Sequence, residues 1–199
     1  MKEIVIASSN QHKVSEITRK IHSNFDTIYS LSDFPKIGDI KEDGNSILEN
    51  SFIKSRVTFD YTNIPSIADD TALEVDYLNG NPGLYTARYA GESATYDDNI
   101  NKLLKAMDGV LTKMRTARFR TIITYVDGGK NDFFVEGYVE GYILNKKQGE
   151  SGFGYDPIFF VPELDMSLAE MSSDIKNKIS HRGIAIDKFK NKINQLSNV

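Results

Sequence analysis

The 199-residue sequence contains no cysteine, which excludes disulfides, thiolate metal centres and a cysteine nucleophile. It has only three histidines, His12, His22 and His181, far apart along the chain, a poor basis for a zinc cluster. A hard cation on oxygen ligands stays open. An excess of positive charge is also missing: the formal net charge is -4, so there is no overall basic balance of the kind that grips long nucleic acid, and any phosphate must be held locally. No segment approaches the roughly 20 apolar residues needed to cross a bilayer, and the apolar run in MKEIVIASSN is too short for a signal-peptide core. These absences point to a cytoplasmic protein with neither a membrane nor a nucleic-acid polymer as partner. Repeats, low-complexity tracts and linkers are lacking too, so residues 1–199 are expected to form a single domain.

What is present is ordinary globular material, 40% hydrophobic and 26% charged. A chain of this length buries about 70% of its unfolded surface. Ile4 to Ile6 read as a short buried strand, and Ser8-Ser9-Asn10 supply capping side chains for a helix with Val14, Ile17 and Ile21 at helical spacing. A second strand is expected over 26–31, and a helix over 46–60 with Ile47, Phe52 and Val57 in its apolar stripe. Ser66 to Asp70 reads as a strand ending in two acids, followed by a Gly-Asn-Pro-Gly turn. Residues 95–109 form a helix closed by glycine. The β-branched and aromatic stretch 117–144, with Asp-Gly-Gly inside it, predicts an antiparallel hairpin. PIFFV (157–161) adds a strand, and 173–196 a helical region interrupted near Gly183. The fold class is therefore α/β: a mixed central sheet flanked by helices, with a cleft between two lobes.

Five stretches can carry chemistry, each with a plainer alternative. The turn Ser8, Ser9, Asn10, Gln11, His12, Lys13 opens a helix, where unpaired backbone N–H groups and the helix dipole suit a phosphate. A lysine there opposes the dipole unless an anion lies between. The stretch matches neither standard phosphate-loop pattern, so on its own a capped helix with a solvated lysine is the better account. Asp69 and Asp70 point to opposite faces if the strand continues, so one works and the other supports; an acidic strand exit explains them equally well. In KEDGNSILENSFIKS, Glu49 and Lys54 are one residue beyond the i,i+4 spacing of a surface pair. Glu42 is a second carboxylate for a metal there, unless the loop is simply solvated. SGFGYDPIFF offers Phe153 or Tyr155 for stacking on a flat ring, with glycines that permit close backbone approach. DIKNKISHRG gathers Lys176, Lys178, His181 and Arg182, which one straight helix cannot aim at a single point; a basic solvated helix is the usual meaning of such a run.

Taken in order, SSNQHKVSEI, ENSFIKS, IADDTALEVDYLNGNPGLYTARYAG, TARFRT, GFGYDPIFF and KNKISHRGIA make nearly the whole chain resemble the noncanonical purine nucleoside triphosphate pyrophosphatases, the inosine triphosphate pyrophosphatase family. The resemblance implies an inosine triphosphatase-like fold with the active site in its cleft, and a homodimer. It implies that Ser8 to Lys13 form a phosphate-holding turn with Lys54 as helper. Asp70 would be the catalytic acid and metal ligand, and Thr71 would contact substrate. Phe153, Gly154, Tyr155, Asp156, Lys176, His181 and Arg182 would hold purine and sugar. Glu42 is the choice for the second ligand of Mg²⁺. The sequence departs from the family pattern at Ser9, Thr71-Ala72 and Thr86, and Lys41 stands where a second acid is frequent.

The mechanism so implied places Mg²⁺, held by Asp70, Glu42 and the triphosphate, so as to orient a water for in-line attack at the α-phosphorus. Lys13 and Lys54 neutralise the leaving pyrophosphate. The substrate is a small nucleoside triphosphate such as ITP, dITP or XTP, and the role is cleansing of the nucleotide pool. A same-fold pyrophosphatase acting on other modified nucleotides, or a non-catalytic nucleotide-binding regulator, are the alternatives.

Overall fold

The computed structural model describes residues 2–129 and 131–196; Met1, Lys130 and residues 197–199 of the expected 1–199 domain lie outside the described residues. The chain divides into two compact units. The first comprises Met1–Asp70, Thr121–Gly137 and His181–Val199, the second Thr71–Arg120 and Tyr138–Ser180.

The elements are β1 (Glu3–Ile6), α1 (Gln11–Ile21), β2 (Thr27–Ser30), α2 (Ile47–Thr62), β3 (Ser66–Val75), β4 (Pro82–Gly83), α3 (Tyr96–Ala106), β5 (Thr116–Val126), β6 (Phe133–Ile143), β7 (Phe159–Val161), β8 (Met166–Ser167), α4 (Ser173–Ile179) and α5 (His181–Leu196). They form a mixed α/β fold. The sheet runs β2-β1-β3-β5-β6-β7-β8, with β4 pairing β3 off this path. β1 is parallel to β2 and β3, whereas β6, β7 and β8 pair antiparallel. The predicted hairpin appears as the neighbouring strands β5 and β6.

In the first unit Ile4, Ile6, Ile17, Ile21, Ile67, Ile123 and Phe189 form a closed apolar cluster. In the second, Leu73, Ile100, Leu103, Met107, Phe119 and Phe159 do so around α3. Asn10 caps α1 by accepting from the backbone N–H groups of His12 and Lys13 at 3.0 and 3.3 Å. Thr95 and Asp98 cap α3 reciprocally.

Three expectations are corrected. The strand expected to stop at Asp70 continues to Val75, because Leu73 and Val75 are fully buried and extend the apolar pattern past the acids. The apolar stripe assigned to α2 holds at Ile47 but not beyond it, Phe52 being half-buried. Val57 is exposed, while the buried face is Ile47, Asn50, Ser51, Lys54, Ser55 and Thr58. Ser51 Oγ donates to the Ala68 carbonyl at 3.0 Å, and the Thr124 hydroxyl lies 2.9 Å from those of both Ser51 and Ser55. Hydroxyls, not methyls, therefore join α2 to β3 and β5 through Ser51, Ser55 and Thr124. Finally, the break in the C-terminal helical region falls at Ser180, whose backbone is extended, and Gly183 lies inside α5.

Candidate active site

In the first unit β1 leads into the Ser8–Asn10 turn, and the parallel strand β3 carries Asp69 and Asp70. Because β3 does not end at the acids, consecutive side chains leave on opposite faces, and their contacts separate accordingly. Asp69 is fully buried and accepts from Arg182 Nε at 2.9 Å, with Lys13 Nζ at 3.2 Å. Arg182 also donates to Glu16 at 2.7 Å. Burial alone would raise the Asp69 pKa, but Lys13, Arg182 and Lys54 reverse this and hold it well below its ordinary 3.8. The same carboxylates keep Arg182 charged despite its burial.

Asp70 faces Lys54. The Lys54 ammonium donates to Glu42 Oε2 at 2.9 Å and to Asp70 Oδ1 at 3.0 Å, so two carboxylates from distant positions converge on one cation. Burial raises the Asp70 pKa even though Lys54 opposes it. For Lys54, burial is outweighed by Asp70 and Glu42, and its ammonium is held above its ordinary value. Lys13, less well compensated by Asp69, is instead pulled below its own by burial.

Glu42 is placed by its own loop. Gly44 N donates to Asn50 Oδ1 at 2.8 Å and Asn45 N to Glu49 Oε2 at 2.8 Å, tying the loop to the first turn of α2. A Cβ on Gly44 would come within 2.7 Å of both Asn50 Oδ1 and Glu49 Cβ. Glu49 thus serves a backbone N–H, which explains why its spacing from Lys54 suits no surface pair. Lys41 pairs with Asp43 in solvent at 3.0 Å.

In the second unit Asp156 is the hub. Its Oδ2 accepts from Phe153 N at 2.7 Å and from Lys176 Nζ at 2.6 Å. Lys176 Nζ also lies 4.9 Å from the centre of the Phe153 ring, which packs 6.1 Å from Tyr96. Tyr155 is buried, and its hydroxyl donates to the Thr86 carbonyl at 3.0 Å. The Thr86 hydroxyl accepts from Leu73 N at 2.8 Å, so Thr in place of Ser keeps a hydroxyl that the backbone uses.

A family model described as the Ham1 family matches residues 4–192. The chain belongs to the Ham1 family. It is 48% identical over 191 residues to a dITP/XTP pyrophosphatase of Thermoanaerobacter pseudethanolicus, covering 96% of both chains. It is 43% identical over 196 residues to one from Bacillus anthracis, covering 97% of this chain and 96% of that one. Among solved structures, the Ham1 protein of Staphylococcus aureus superposes with TM-score 0.87 at 39% identity, covering 98% and 99% of the two chains. A HAM1 protein from Coxiella burnetii gives 0.88 at 34% identity with full coverage of both.

Within this family member, the first unit gathers Glu42 and Asp70 on Lys54, and Lys13 and Arg182 on Asp69, with Glu16 beyond Arg182. Ser8 Oγ accepts from Asn10 N at 3.2 Å, and Gln11 reaches Ser32 at 3.3 Å. Ser9 and His12 are exposed at the turn, and His181 is buried at the start of α5. Thr71 follows Asp70 on β3, half-buried, and Gly154 has φ +61° beside Phe153. Sequence inspection missed Glu16 and the Thr86–Tyr155 link. Glu16 sits one helical turn after Lys13, a spacing that signals a shared face but not that Arg182 approaches it from α5.

Among the described residues no group of three or more His, Cys, Asp or Glu converges as metal ligands. Glu42 and Asp70 are nevertheless two hard oxygen donors already gathered around a positive charge, and one or two carboxylates suffice for a magnesium ion shared with substrate phosphates. No described helix is long and apolar enough to cross a membrane.

Proposed function

We propose that this chain hydrolyses noncanonical purine nucleoside triphosphates, ITP, dITP and XTP, to the monophosphate and pyrophosphate, removing deaminated purines from the nucleotide pool. The observation that carries this is the convergence of Lys54, Glu42 and Asp70, with Lys13 paired to the adjacent Asp69, in a chain whose relatives are named dITP/XTP pyrophosphatases. Residues 1–199 act as one catalytic domain, in the cytoplasm, as a homodimer.

Ser8 to Lys13 and Lys54 take the polyphosphate, the two ammonium groups neutralising the departing pyrophosphate. Glu42 and Asp70 would hold Mg²⁺, which when bound supplies charge neutralisation on the phosphates. Asp70 takes the proton of the attacking water. Its carboxylate, freed from the Lys54 ammonium when that turns to the phosphates, faces the water. Asp69 keeps Arg182 as its counter-ion throughout, so it stays ionised when Lys13 turns away. Phe153, held by Asp156 and Lys176, stacks on the purine. Selection against ATP rests on the oxygen at C6, since a site offering donors there leaves the adenine amino group facing another donor; guanine carries the same oxygen, so GTP is rejected at its 2-amino group.

Incubation with ITP, dITP, XTP, GTP and ATP with Mg²⁺, following pyrophosphate release, tests this. Preference for the first three is expected. Equal turnover of all five, or release of orthophosphate alone, refutes it.

A further inference from the structure

Lys54 occupies the place where a divalent ion would have to enter. Its ammonium is 2.9 Å from Glu42 and 3.0 Å from Asp70; Lys54 and Asp70 are largely withdrawn from solvent, and Glu42 is half-buried. An ammonium and a dication cannot share two carboxylates at these distances without strong mutual repulsion, because partial burial lowers the effective dielectric constant that would screen them. Lys54 cannot simply retreat into water either, since its stem is packed on the buried face of α2. It needs another anion to turn to.

Accordingly, we infer that Lys54 is an internal counter-ion of the metal carboxylates, one that excludes a divalent ion from the free protein and yields its place when a nucleotide polyphosphate offers the ammonium a new partner. This rests on Glu42 and Asp70 as the metal-binding pair. Cation and nucleotide then bind with positive coupling, each strengthening the other by the same factor. A cell's free magnesium is not held idly, and the carboxylates are not left bare before substrate arrives. Lys13 does not duplicate this role, because its carboxylate contact is Asp69 on the opposite face of β3.

The experiment is a Mn²⁺ titration of the purified protein, read by loss of the free-ion paramagnetic resonance signal and independent of turnover. It compares the unmodified protein, Lys54→Met, Lys54→Arg, and Lys54→Met combined with Glu42→Gln. Lys54→Met should bind Mn²⁺ at least about tenfold more tightly than the unmodified protein without nucleotide. Lys54→Arg, which keeps a cation there, should stay weak. Unchanged or weaker binding by Lys54→Met overturns the exchange. If Lys54→Met tightens binding but the added Glu42→Gln does not reverse it, the tight site is elsewhere, and it is the carboxylate assignment that fails. A second measurement guards against misfolding of the methionine variant. With an inosine triphosphate analogue imido-bridged between the α- and β-phosphates, the unmodified protein should gain more Mn²⁺ affinity than the same analogue gains for Lys54→Arg, whose longer fork fits the carboxylates bidentately and yields less readily. An equal gain also overturns the inference.

Discussion

At Arg182 a guanidinium is buried with carboxylates on two sides, Asp69 at 2.9 Å and Glu16 at 2.7 Å. Removing one member of such a set strands the others: Arg182→Met should cost about 3–5 kcal/mol, measured by urea unfolding, while replacing Asp69 by Leu in the same chain should recover part of it. Asp70→Asn should behave in the opposite sense. It keeps shape and fold but loses a charge at the reacting centre, so turnover is expected to fall by at least about 10² while the unfolding midpoint changes little. Pyrophosphate release at saturating Mg²⁺ checks the first half, and retention of full activity refutes the role of Asp70. That the two acids face opposite ways could be read from strand periodicity alone. Which acid Arg182 serves could not, because 113 positions separate Arg182 from Asp69 and no local pattern encodes that contact.

At the scale of elements, glycine marks where two backbones meet. Gly137 on β6 faces the first turn of α5 so closely that a Cβ would lie 2.1 Å from the His181 carbonyl oxygen. Gly137→Ala should therefore destabilise by about 1–3 kcal/mol or more, seen as a lowered thermal midpoint. Gly152→Ala combines φ +81° with a Cβ 2.1 Å from Asp156 Oδ2. It should disturb the Phe153, Asp156 and Lys176 arrangement first, raising KM for ITP more than it lowers kcat. Helices α1 and α3 were legible because their apolar residues recur at helical spacing behind a polar cap. The buried face of α2 was misread beyond Ile47 because its period at 51, 55 and 58 is written in serine and threonine, residues that resemble an exposed face until the contacts of Ser51 and Ser55 with β3 and β5 are known. The break at Ser180 was misplaced for a related reason, in that a glycine buried inside a helix looks in sequence like a glycine that bends the chain.

For the whole molecule, stability at high pH offers a check that avoids the site. Burial, with help from Asp127 and Asp132, pushes the Tyr125 phenol from 10.0 up to about 12. The folded state thus holds this proton more tightly than the unfolded chain. The resulting stability is fully present below pH 10 and is lost as pH rises from there toward 12. Tyr125→Phe should flatten that alkaline limb in denaturation followed by circular dichroism; an unchanged slope refutes the assignment. The passage of β3 through its two acids also has a genetic corollary. Substitutions at 69 or 70 alter one face of the sheet at a time, whereas a codon gained or lost between Ser66 and Asp69 would exchange the partners of both carboxylates at once. This strand should accept point changes in a mutational scan far more readily than insertions or deletions of one residue.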